Sequence, residues 1–335
     1  RLKLGHPFDP ADPVQTAAET FARVAAEESG GEIDVSVFPS AQLGKTKEMQ
    51  EGVQQGFVDI VLESVGTLSG FHPVAGVESM PYLFRDGDHY LRVWNGEVGQ
   101  EVKDMLAKDA NFRIFGHLYR GSRELTSNRE VNSIDDLSGL KIRVTPIKER
   151  LVTWETFGAS PTPMSFSELF TALQQGVIDA QENPIATIHK SSFDEVQEYL
   201  VLTSHMANGF TFQMNAEKFD GYSPEVQTAL IAAADAAAEE YNTYVSENQA
   251  KLLAELKASE NMGLLFITHD LGIVRRVADK VCVMKDGEIV ESGPTAEIFA
   301  NPQHPYTQKL LAAEPSGAPD PVEPGAEVIA ETEHL

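Results

Sequence analysis

Arg143 is the residue whose type and position most directly suggest a binding function. It lies in residues 140–144, where apolar and charged side chains alternate, a pattern that predicts a strand. A guanidinium group is planar and donates two parallel hydrogen bonds to a carboxylate, an arrangement that a lysine cannot copy. Arg143 could therefore hold the carboxylate of a ligand. It could equally form a structural ion pair, since Asp135, Asp136 and Glu182 are available as partners.

The sequence contains no complete motif for catalysis or for metal binding. Gly44-Lys45-Thr46 resembles the end of a nucleotide-binding loop, but the glycine expected five residues before Gly44 is replaced by Pro39. The H-E-x-x-H and G-x-S-x-G patterns are absent, and a single cysteine, Cys282, excludes a paired-cysteine metal or redox site. We therefore expect no enzymatic activity, no cofactor and no metal.

The charge balance excludes other classes of partner. The 335 residues include 26 basic and 51 acidic side chains, a formal charge of -25 that opposes binding to nucleic acids and to anionic lipid surfaces. No apolar run approaches the roughly 20 residues that a membrane-spanning helix needs. The chain opens at Arg1 without an apolar signal segment. Either it is a trimmed cytoplasmic protein or an export signal has been removed.

Helices and strands alternate along most of the chain, which predicts an α/β fold. In the first part we predict helices over residues 13–29, 45–56 and 89–107, and strands over 33–37, 59–62 and 112–118. In the second part we predict strands over 140–144, 199–203 and 210–214, and helices over 147–157 and 165–176. These assignments follow from apolar periods of 3.6 and 2 residues bounded by Gly, Pro and capping residues.

A long helix follows. Ser223, Pro224 and Glu225 begin it, and neither glycine nor proline interrupts the apolar spacing before about residue 259. At 1.5 Å per residue such a helix spans roughly 50 Å, which is longer than one small lobe. We therefore expect it to brace two lobes.

The composition changes after residue 261. We predict a strand over residues 263–268, a helix over 269–280 and a hairpin over 281–291 that turns at Asp286 and Gly287. Beyond residue 313 the chain is rich in Pro, Ala, Gly and acidic residues and lacks Lys and Arg. Such a composition cannot bury enough apolar surface to become ordered, so we expect a disordered tail.

Five stretches of residues 1 to about 262 resemble one family, the extracytoplasmic solute receptors of tripartite ATP-independent periplasmic (TRAP) transporters. They are residues 40–44 (SAQLG), 81–85 (PYLFR), 136–144 (DLSGLKIRV), 161–168 (PTPMSFSE) and, most specifically, 172–184 (ALQQGVIDAQENP). The resemblance implies a two-lobed periplasmic-binding-protein-like architecture, with hinge strands, a lobe-spanning helix and a ligand between the lobes. It also implies a periplasmic location, with the export signal already removed, and a TRAP membrane permease as partner.

The predicted domain boundaries follow from this resemblance for the lobes and from the composition of the chain after residue 261 for the rest. These are residues 1–121 plus about 210–222 for lobe I, 122–209 for lobe II, 223–259 for the bracing helix, 263–313 for an appended fragment and 314–335 for the disordered acidic tail. The predicted ligand site lies where the two lobes face each other. Closure of the lobes around a small organic acid is the expected mode of binding.

Seven residues match ligand-binding positions of the family. They are Arg143, Arg123, Asn183, Glu63, Phe166, His6 and His205. Arg143 matches the arginine that pairs with the ligand carboxylate, Asn183 an asparagine that helps to hold it, and Arg123 a second arginine that often reaches the ligand. Glu63 also follows an apolar strand, where a polar residue commonly faces a crevice. Phe166 could instead be a core residue of its helix, and the two histidines could be ordinary solvated or hydrogen-bonded side chains.

Two ligand classes fit these residues. One arginine with two parallel donors binds one carboxylate, whereas Glu63, Asn183 and the histidines are better suited to hydroxyl groups. This combination favours a sugar acid such as a uronate or aldonate. If Arg123 binds a carboxylate as well, a C4-dicarboxylate or a related acid becomes the alternative.

The segment from about residue 264 to 315 resembles a different protein, the C-terminal end of the ATPase subunit of peptide-importing ABC transporters. The similar stretches are residues 264–271 (LLFITHDL), 281–290 (VCVMKDGEIV) and 301–307 (NPQHPYT). In that family His269 would contact the γ-phosphate of ATP. The phosphate loop, the signature motif and the acidic metal-binding strand are absent from this sequence, so an ATPase-related fusion protein is the less favoured alternative and no ATP chemistry is expected.

Overall fold

The computed structural model describes residues 1–258, 263–266, 271–286 and 288–312. The chain forms two compact units, Arg1–Ile267 and Thr268–Leu335. The described residues have the mixed α/β composition that the sequence predicts. The predicted disordered tail, residues 314–335, and His269 lie outside them.

The strands of the first unit form one mixed sheet. In chain order they are β1 (Leu2–Gly5), β2 (Val35–Phe38), β3 (Ile60–Glu63), β4 (Phe112–Ser127), β5 (Lys141–Val144), β6 (Ser160–Pro163), β7 (Ala180–Pro184), β8 (Tyr199–Asn215) and β9 (Gly263–Phe266). Within the described residues the strand order is β2-β1-β3-β8-β4-β7-β5-β6, and β9 lies parallel to β8. The strand that the sequence assigns to the start of the appended fragment thus pairs within the first unit.

Two long antiparallel strands, β4 and β8, run through both halves of this sheet. β3 pairs with residues 211–214 of β8, whereas β7 pairs with residues 123–127 of β4. We call the half that contains β1, β2 and β3 lobe I, and the half that contains β5, β6 and β7 lobe II. The register of β4 against β8 shifts at three places between the halves, and Ser204 there has a φ of 42°. Such bulges bend a strand pair and suit a connection between lobes.

The sequence prediction made these two strands too short. It ended the first at residue 118 and divided the second into 199–203 and 210–214. In the structure β4 continues through Arg120 and Arg123, and β8 continues through His205 and Asn208. These side chains are polar yet buried. They interrupt the apolar alternation by which a strand is recognised.

The helices of the first unit cover the sheet. They are α1 (Pro13–Glu28), α2 (Thr46–Gln55), α3 (Gly87–Trp94), α4 (Glu97–Ala110), α5 (Lys148–Thr156), α6 (Leu169–Gln174), α7 (Ile185–Lys190), α8 (Ala216–Asp220) and α9 (Pro224–Ala258), with short 3₁₀ helices over Val65–Gly70, Pro73–Ser79, Ile134–Leu137, Phe166–Glu168 and Phe193–Glu195. The single helix predicted over residues 89–107 is two helices, because Asn95 ends α3 and Gly96 is the N-cap of α4.

The long helix predicted from residue 223 is α9, whose 35 residues contact α1, β4 and α7. Small residues of both helices, such as Ala17, Ala18, Ala233 and Ala234, are buried in one core cluster with Phe21. Small side chains let helix backbones approach closely. No helix in the described parts of the chain is both long and apolar enough to cross a membrane.

The second unit is described in part. Its elements are α10 (Leu271–Val277), β10 (Lys280–Lys285), β11 (Glu288–Pro294), α11 (Thr295–Ala300) and α12 (Pro305–Ala312). β10 and β11 form the predicted antiparallel hairpin. Asp286 at its turn has a φ of 53°, and Gly287 lies outside the described residues.

Candidate ligand-binding site

Arg143 lies in β5 with about 2% of its side chain exposed. Its Nε donates a hydrogen bond of 2.9 Å to the Met164 carbonyl, and its Nη1 lies 3.5 Å from Thr145 Oγ1. No carboxylate oxygen of the described residues lies within 4.0 Å of this guanidinium. Burial lowers the pKa of Arg143 to about 10, although the charge of Glu182 opposes this effect, so Arg143 stays charged at neutral pH.

The structural ion pair that the sequence left open for Arg143 is not formed. Asp136 accepts hydrogen bonds from the N–H groups of Asn132 and Ser133, at 3.0 and 2.8 Å. Glu182 is held by another arginine. The Arg143 charge is therefore available to a ligand.

Glu182, in β7, is the anionic centre of the site. Arg123 binds both of its carboxylate oxygens, through Nε and through an Nη2 bond of 3.0 Å to Oε1. His205 Nε2 lies 3.2 Å from Glu182 Oε2, and Arg150 Nη1 lies 3.7 Å from Oε1. Burial alone would raise the pKa of Glu182, but the Arg123 charge, the His205 hydrogen bond and the Arg150 charge hold it well below its usual range.

Three predicted ligand residues, Arg123, Asn183 and His205, are thus engaged with protein groups. Arg123 also donates from Nη2 to Asn183 Oδ1 at 3.1 Å. The Nδ1 atom of His205 lies 2.8 Å from Thr203 Oγ1, and its ring packs edge-on against Trp154. Burial lowers the pKa of His205, although Glu182 counteracts this shift. Both ring nitrogens of His205 therefore have protein partners, as expected of the ordinary hydrogen-bonded histidine that the sequence analysis gave as the alternative to a ligand role.

Lobe I contributes Glu63 and Arg120. The Glu63 carboxylate accepts hydrogen bonds from the Ser64 N–H and from Thr46 Oγ1, at 2.8 and 3.2 Å. Burial raises the pKa of Glu63, while the charge of Arg120 lowers it. The Arg120 guanidinium lies over the Phe210 ring, with its carbon 3.9 Å from the ring centroid. Cation–π contact of this kind fixes an arginine without neutralising its charge.

The remaining predicted residues, His6 and Phe166, lie beside the ring of Phe8, over which the Arg120 guanidinium also lies. His6 Nε2 lies 2.8 Å from Gln15 Oε1, whereas His6 Nδ1 is buried without a hydrogen-bond partner among the described residues. Burial lowers the pKa of His6. The centroid of the half-buried Phe166 ring, in lobe II, lies 4.9 Å from that of the Phe8 ring, in lobe I. This ring contact joins the two lobes.

Sequence analysis missed two arginines of the cluster, Arg120 and Arg150. Both are buried, with 4% and 2% of their side chains exposed. Arg150 could have been found, because it lies one helical turn before the buried Trp154 in α5 and therefore faces inward. Arg120 interrupts an apolar strand, and a strand pattern alone does not distinguish an interior arginine from the end of the strand.

Together the lobes bury four arginines around one ionised carboxylate, Glu182, and a second acid, Glu63, whose pKa burial raises. The charges of Glu182 and Glu63 raise the pKa of Arg143, whereas those of Arg123 and Arg120 lower it. Local positive charge in an acidic chain suits a small anion. The described groups provide recognition by charge and hydrogen bonding.

Comparisons with known proteins agree with this chemistry. The model of the bacterial extracellular solute-binding proteins, family 7 (DctP), matches residues 4–270. The C-terminal region of oligopeptide and dipeptide transporters matches residues 290–331. This second match accords with the predicted similarity of the appended segment, although residues 313–331 lie outside the described residues.

Three relatives illustrate the similarity. The solute-binding protein RD1_1052 of Roseobacter denitrificans is 35% identical over 84% of this chain and 86% of its own. Its crystal structure with bound L-galactonate has a TM-score of 0.75 and 31% identity, and covers 92% of this chain and 97% of that one. The 2,3-diketo-L-gulonate-binding periplasmic protein YiaO of Escherichia coli is 34% identical over 76% of this chain and 78% of its own. The C4-dicarboxylate-binding periplasmic protein DctP of Rhodobacter capsulatus is 31% identical over 76% and 77%.

RD1_1052 shares the fold of this chain, and the family to which the three relatives belong consists of solute receptors rather than enzymes. The likeness to RD1_1052 extends over nearly the whole length of that receptor. The match to residues 4–270 and the identities above 30% show that this chain belongs to family 7 of the bacterial extracellular solute-binding proteins, the two-lobed receptors of TRAP transporters.

Proposed function

We propose that this receptor binds a sugar acid, such as an aldonate or a uronate, whose carboxylate is held by Arg143. The observation that carries the proposal is the unpaired charge of Arg143, which is buried without a carboxylate within 4.0 Å among the described residues. An unpaired buried charge is costly, and an anionic ligand offsets that cost. A fork of two N–H donors also matches the planar shape of a carboxylate.

Hydroxyl groups of the sugar acid are assigned to the neutral and acidic side chains of the cluster. Asn183 and Glu63 carry acceptor oxygens, and His6 has a ring nitrogen without a protein partner among the described residues. Phe166 would cover an apolar face of the ligand. The L-galactonate bound to RD1_1052 and the ligand for which YiaO is named are both sugar acids, which supports this class.

A C4-dicarboxylate is the alternative, and the name of the Rhodobacter capsulatus relative speaks for it. In that case Arg123 would hold the second carboxylate. Arg123 already binds both oxygens of Glu182, so a second ligand carboxylate would have to compete with an ionised protein carboxylate. This competition favours a ligand with one carboxylate.

In our proposal the ligand is held between lobe I, residues 1–121 with about 210–222, and lobe II, residues 122–209, braced by α9. Closure would bring Glu63 and Arg143 to the same ligand, and a ligand shifts the lobes only by its preference for the closed state. The closed receptor would deliver the acid in the periplasm to a TRAP membrane permease, as its family does.

The test begins with the identity of the ligand. Mass spectrometry of the small molecules released on denaturation should detect a sugar acid, and calorimetric titration then gives its affinity. Arg143→Lys keeps the charge but loses one of the two parallel hydrogen bonds to the carboxylate. A hydrogen bond to a charged group contributes roughly 1.5–3 kcal/mol. We therefore expect affinity to fall about ten- to a hundredfold. Arg143→Ala should weaken binding further.

The control for these variants is Arg85→Lys, which changes an exposed arginine outside the cluster. Its affinity should equal that of the unmodified protein. A thermal melt without ligand separates a binding defect from a folding defect. Near-normal affinity in Arg143→Ala would refute the assignment of the carboxylate to Arg143.

A further inference from the structure

Arg150 is a second buried cation beside Arg143. Its Nη1 donates a hydrogen bond of 3.0 Å to Thr145 Oγ1, and its Nε lies 3.4 Å from Ser79 Oγ. The nearest carboxylate oxygen among the described residues is Glu182 Oε1, at 3.7 Å, which is an ion-pair distance but too long for a hydrogen bond. Arg150 Nη2 has no hydrogen-bond partner in the described part of the chain.

The Thr145 hydroxyl places the two guanidinium groups side by side. Arg143 Nη1 lies 3.5 Å and Arg150 Nη1 lies 3.0 Å from the same oxygen atom. A hydroxyl accepts hydrogen bonds but carries no charge, so it orients both arginines without neutralising either. Glu182 is already bound by Arg123 and His205. Unsatisfied donors of Arg150 therefore remain next to Arg143.

This arrangement restricts which ligand atom can meet Arg150. If the carboxylate occupies Arg143, a group that reaches the neighbouring guanidinium must be attached close to that carboxylate, and the nearest such atom is an oxygen on carbon 2. A second carboxylate fits less well, because the ionised Glu182 already lies 3.7 Å from Arg150. A neutral hydroxyl or keto oxygen accepts the hydrogen bond without this repulsion.

We propose that Arg150, positioned by Thr145 and Ser79, binds the oxygen on carbon 2 of the ligand, so that the receptor selects 2-hydroxy and 2-oxo acids over acids unsubstituted at that carbon. The inference rests on the proposed function, since it requires the ligand carboxylate at Arg143. It assigns a separate task to each arginine. Arg143 recognises the acid, and Arg150 recognises the atom beside it.

Pairs of acids that differ only in this oxygen provide the test. The probes are D-galactonate with 2-deoxy-D-galactonate, and malate with succinate, titrated calorimetrically into the full chain. The hydroxylated member should bind about ten- to a hundredfold more tightly, since the difference is one hydrogen bond to a charged group. Arg150→Lys keeps the charge but loses the fork and its contact to Thr145, and should remove most of that preference.

The unsubstituted member of each pair is the internal control. Its affinity for the Arg150→Lys variant should stay within about threefold of the original, which also shows that the variant is folded. Arg143→Lys, in contrast, should weaken both members alike. Thr145→Val should reduce the preference as well, because it removes the oxygen that orients both arginines.

The outcomes separate the two proposals. Equal weakening of both members by Arg150→Lys, or a preference that survives this change, would overturn the role of Arg150 and leave the carboxylate site intact. A wild-type protein that binds a pair without preference would do the same. If neither pair binds, the proposed function fails, and the role of Arg150 fails with it.

Discussion

Glu124→Gln should stabilise the first unit at pH 8 and change its stability much less at pH 5. Glu124 lies in β4 with about 3% of its side chain exposed. Its carboxylate accepts hydrogen bonds from the N–H and the hydroxyl of Ser204, at 2.7 and 3.0 Å. No lysine, arginine or histidine nitrogen of the described residues lies within 4.0 Å of it. Unlike Glu182 in the adjacent strand, it is a buried acid without a cation.

The size of the expected stabilisation follows from the pKa of Glu124 in the folded state. Burial raises the pKa of Glu124 from 4.5 to about 7, although the hydrogen bonds from Ser204 oppose the shift. The folded state then binds a proton more tightly than the unfolded state, so stability falls as the pH rises from about 4.5 to 7 and stays lower above that range. At about 1.4 kcal/mol per pH unit, the loss between pH 5 and pH 8 is about 2–3 kcal/mol. Glutamine does not titrate and keeps an acceptor for Ser204.

Urea unfolding at the two pH values measures this difference. Both tryptophans, Trp94 and Trp154, lie in the first unit, so their fluorescence reports its unfolding alone. Glu101→Gln, at an exposed position of α4, is the control and should show no pH-dependent gain. If Glu124→Gln changes the free energy of unfolding equally at pH 5 and pH 8, Glu124 is not a neutral buried acid and the reasoning fails.

Two further predictions concern the charges around the site. Glu182→Gln should lower the free energy of unfolding by about 3–5 kcal/mol, because it leaves Arg123 buried without its partner, and the melting temperature should fall by about 6–10 °C. A fall below 2 °C in a thermal melt would contradict the pairing. Lys45→Ala should speed ligand release, since Lys45 Nζ in lobe I lies 2.9 Å from Glu168 Oε1 in lobe II. Stopped-flow release should show the difference at low salt and lose it at high salt, whereas Lys47→Ala, which pairs within its own helix, should release ligand at the original rate.

Sequence patterns predicted well those elements whose apolar residues are regularly spaced, such as the long helix α9. The long helix was expected over residues 223–259 and spans Pro224–Ala258, because its capping residues and apolar spacing are local signals. The strands β4 and β8 were predicted too short, because several of their central residues are polar although they are buried. Polar residues buried in a strand look like the end of the strand until their partners are known.

The candidate site was predictable to a different degree for each residue. A ligand role for Arg143 could be proposed from its motif and from the two parallel donors of its guanidinium. Whether Arg143 forms an ion pair within the protein, however, depends on where Glu182 lies. Arg123 matches a ligand arginine in sequence, and its pairing with Glu182 joins β4 to a strand about sixty residues later. The sharing of Thr145 by two arginines depends on the turn between β5 and α5, which no periodicity describes. The roles of these residues toward a ligand remain predictions.

The burial of the four arginines has a consequence for how quickly a ligand arrives. The chain carries a formal charge of -25, so an anion diffusing toward it meets net repulsion, and it meets the guanidinium groups only inside the site. Electrostatic repulsion between solvent-exposed charges is screened beyond about 8 Å at physiological ionic strength. Added salt should therefore speed the encounter of this receptor with its acid, the reverse of the usual behaviour of electrostatically steered pairs. For a given affinity, slower capture of the acid has to be matched by slower departure.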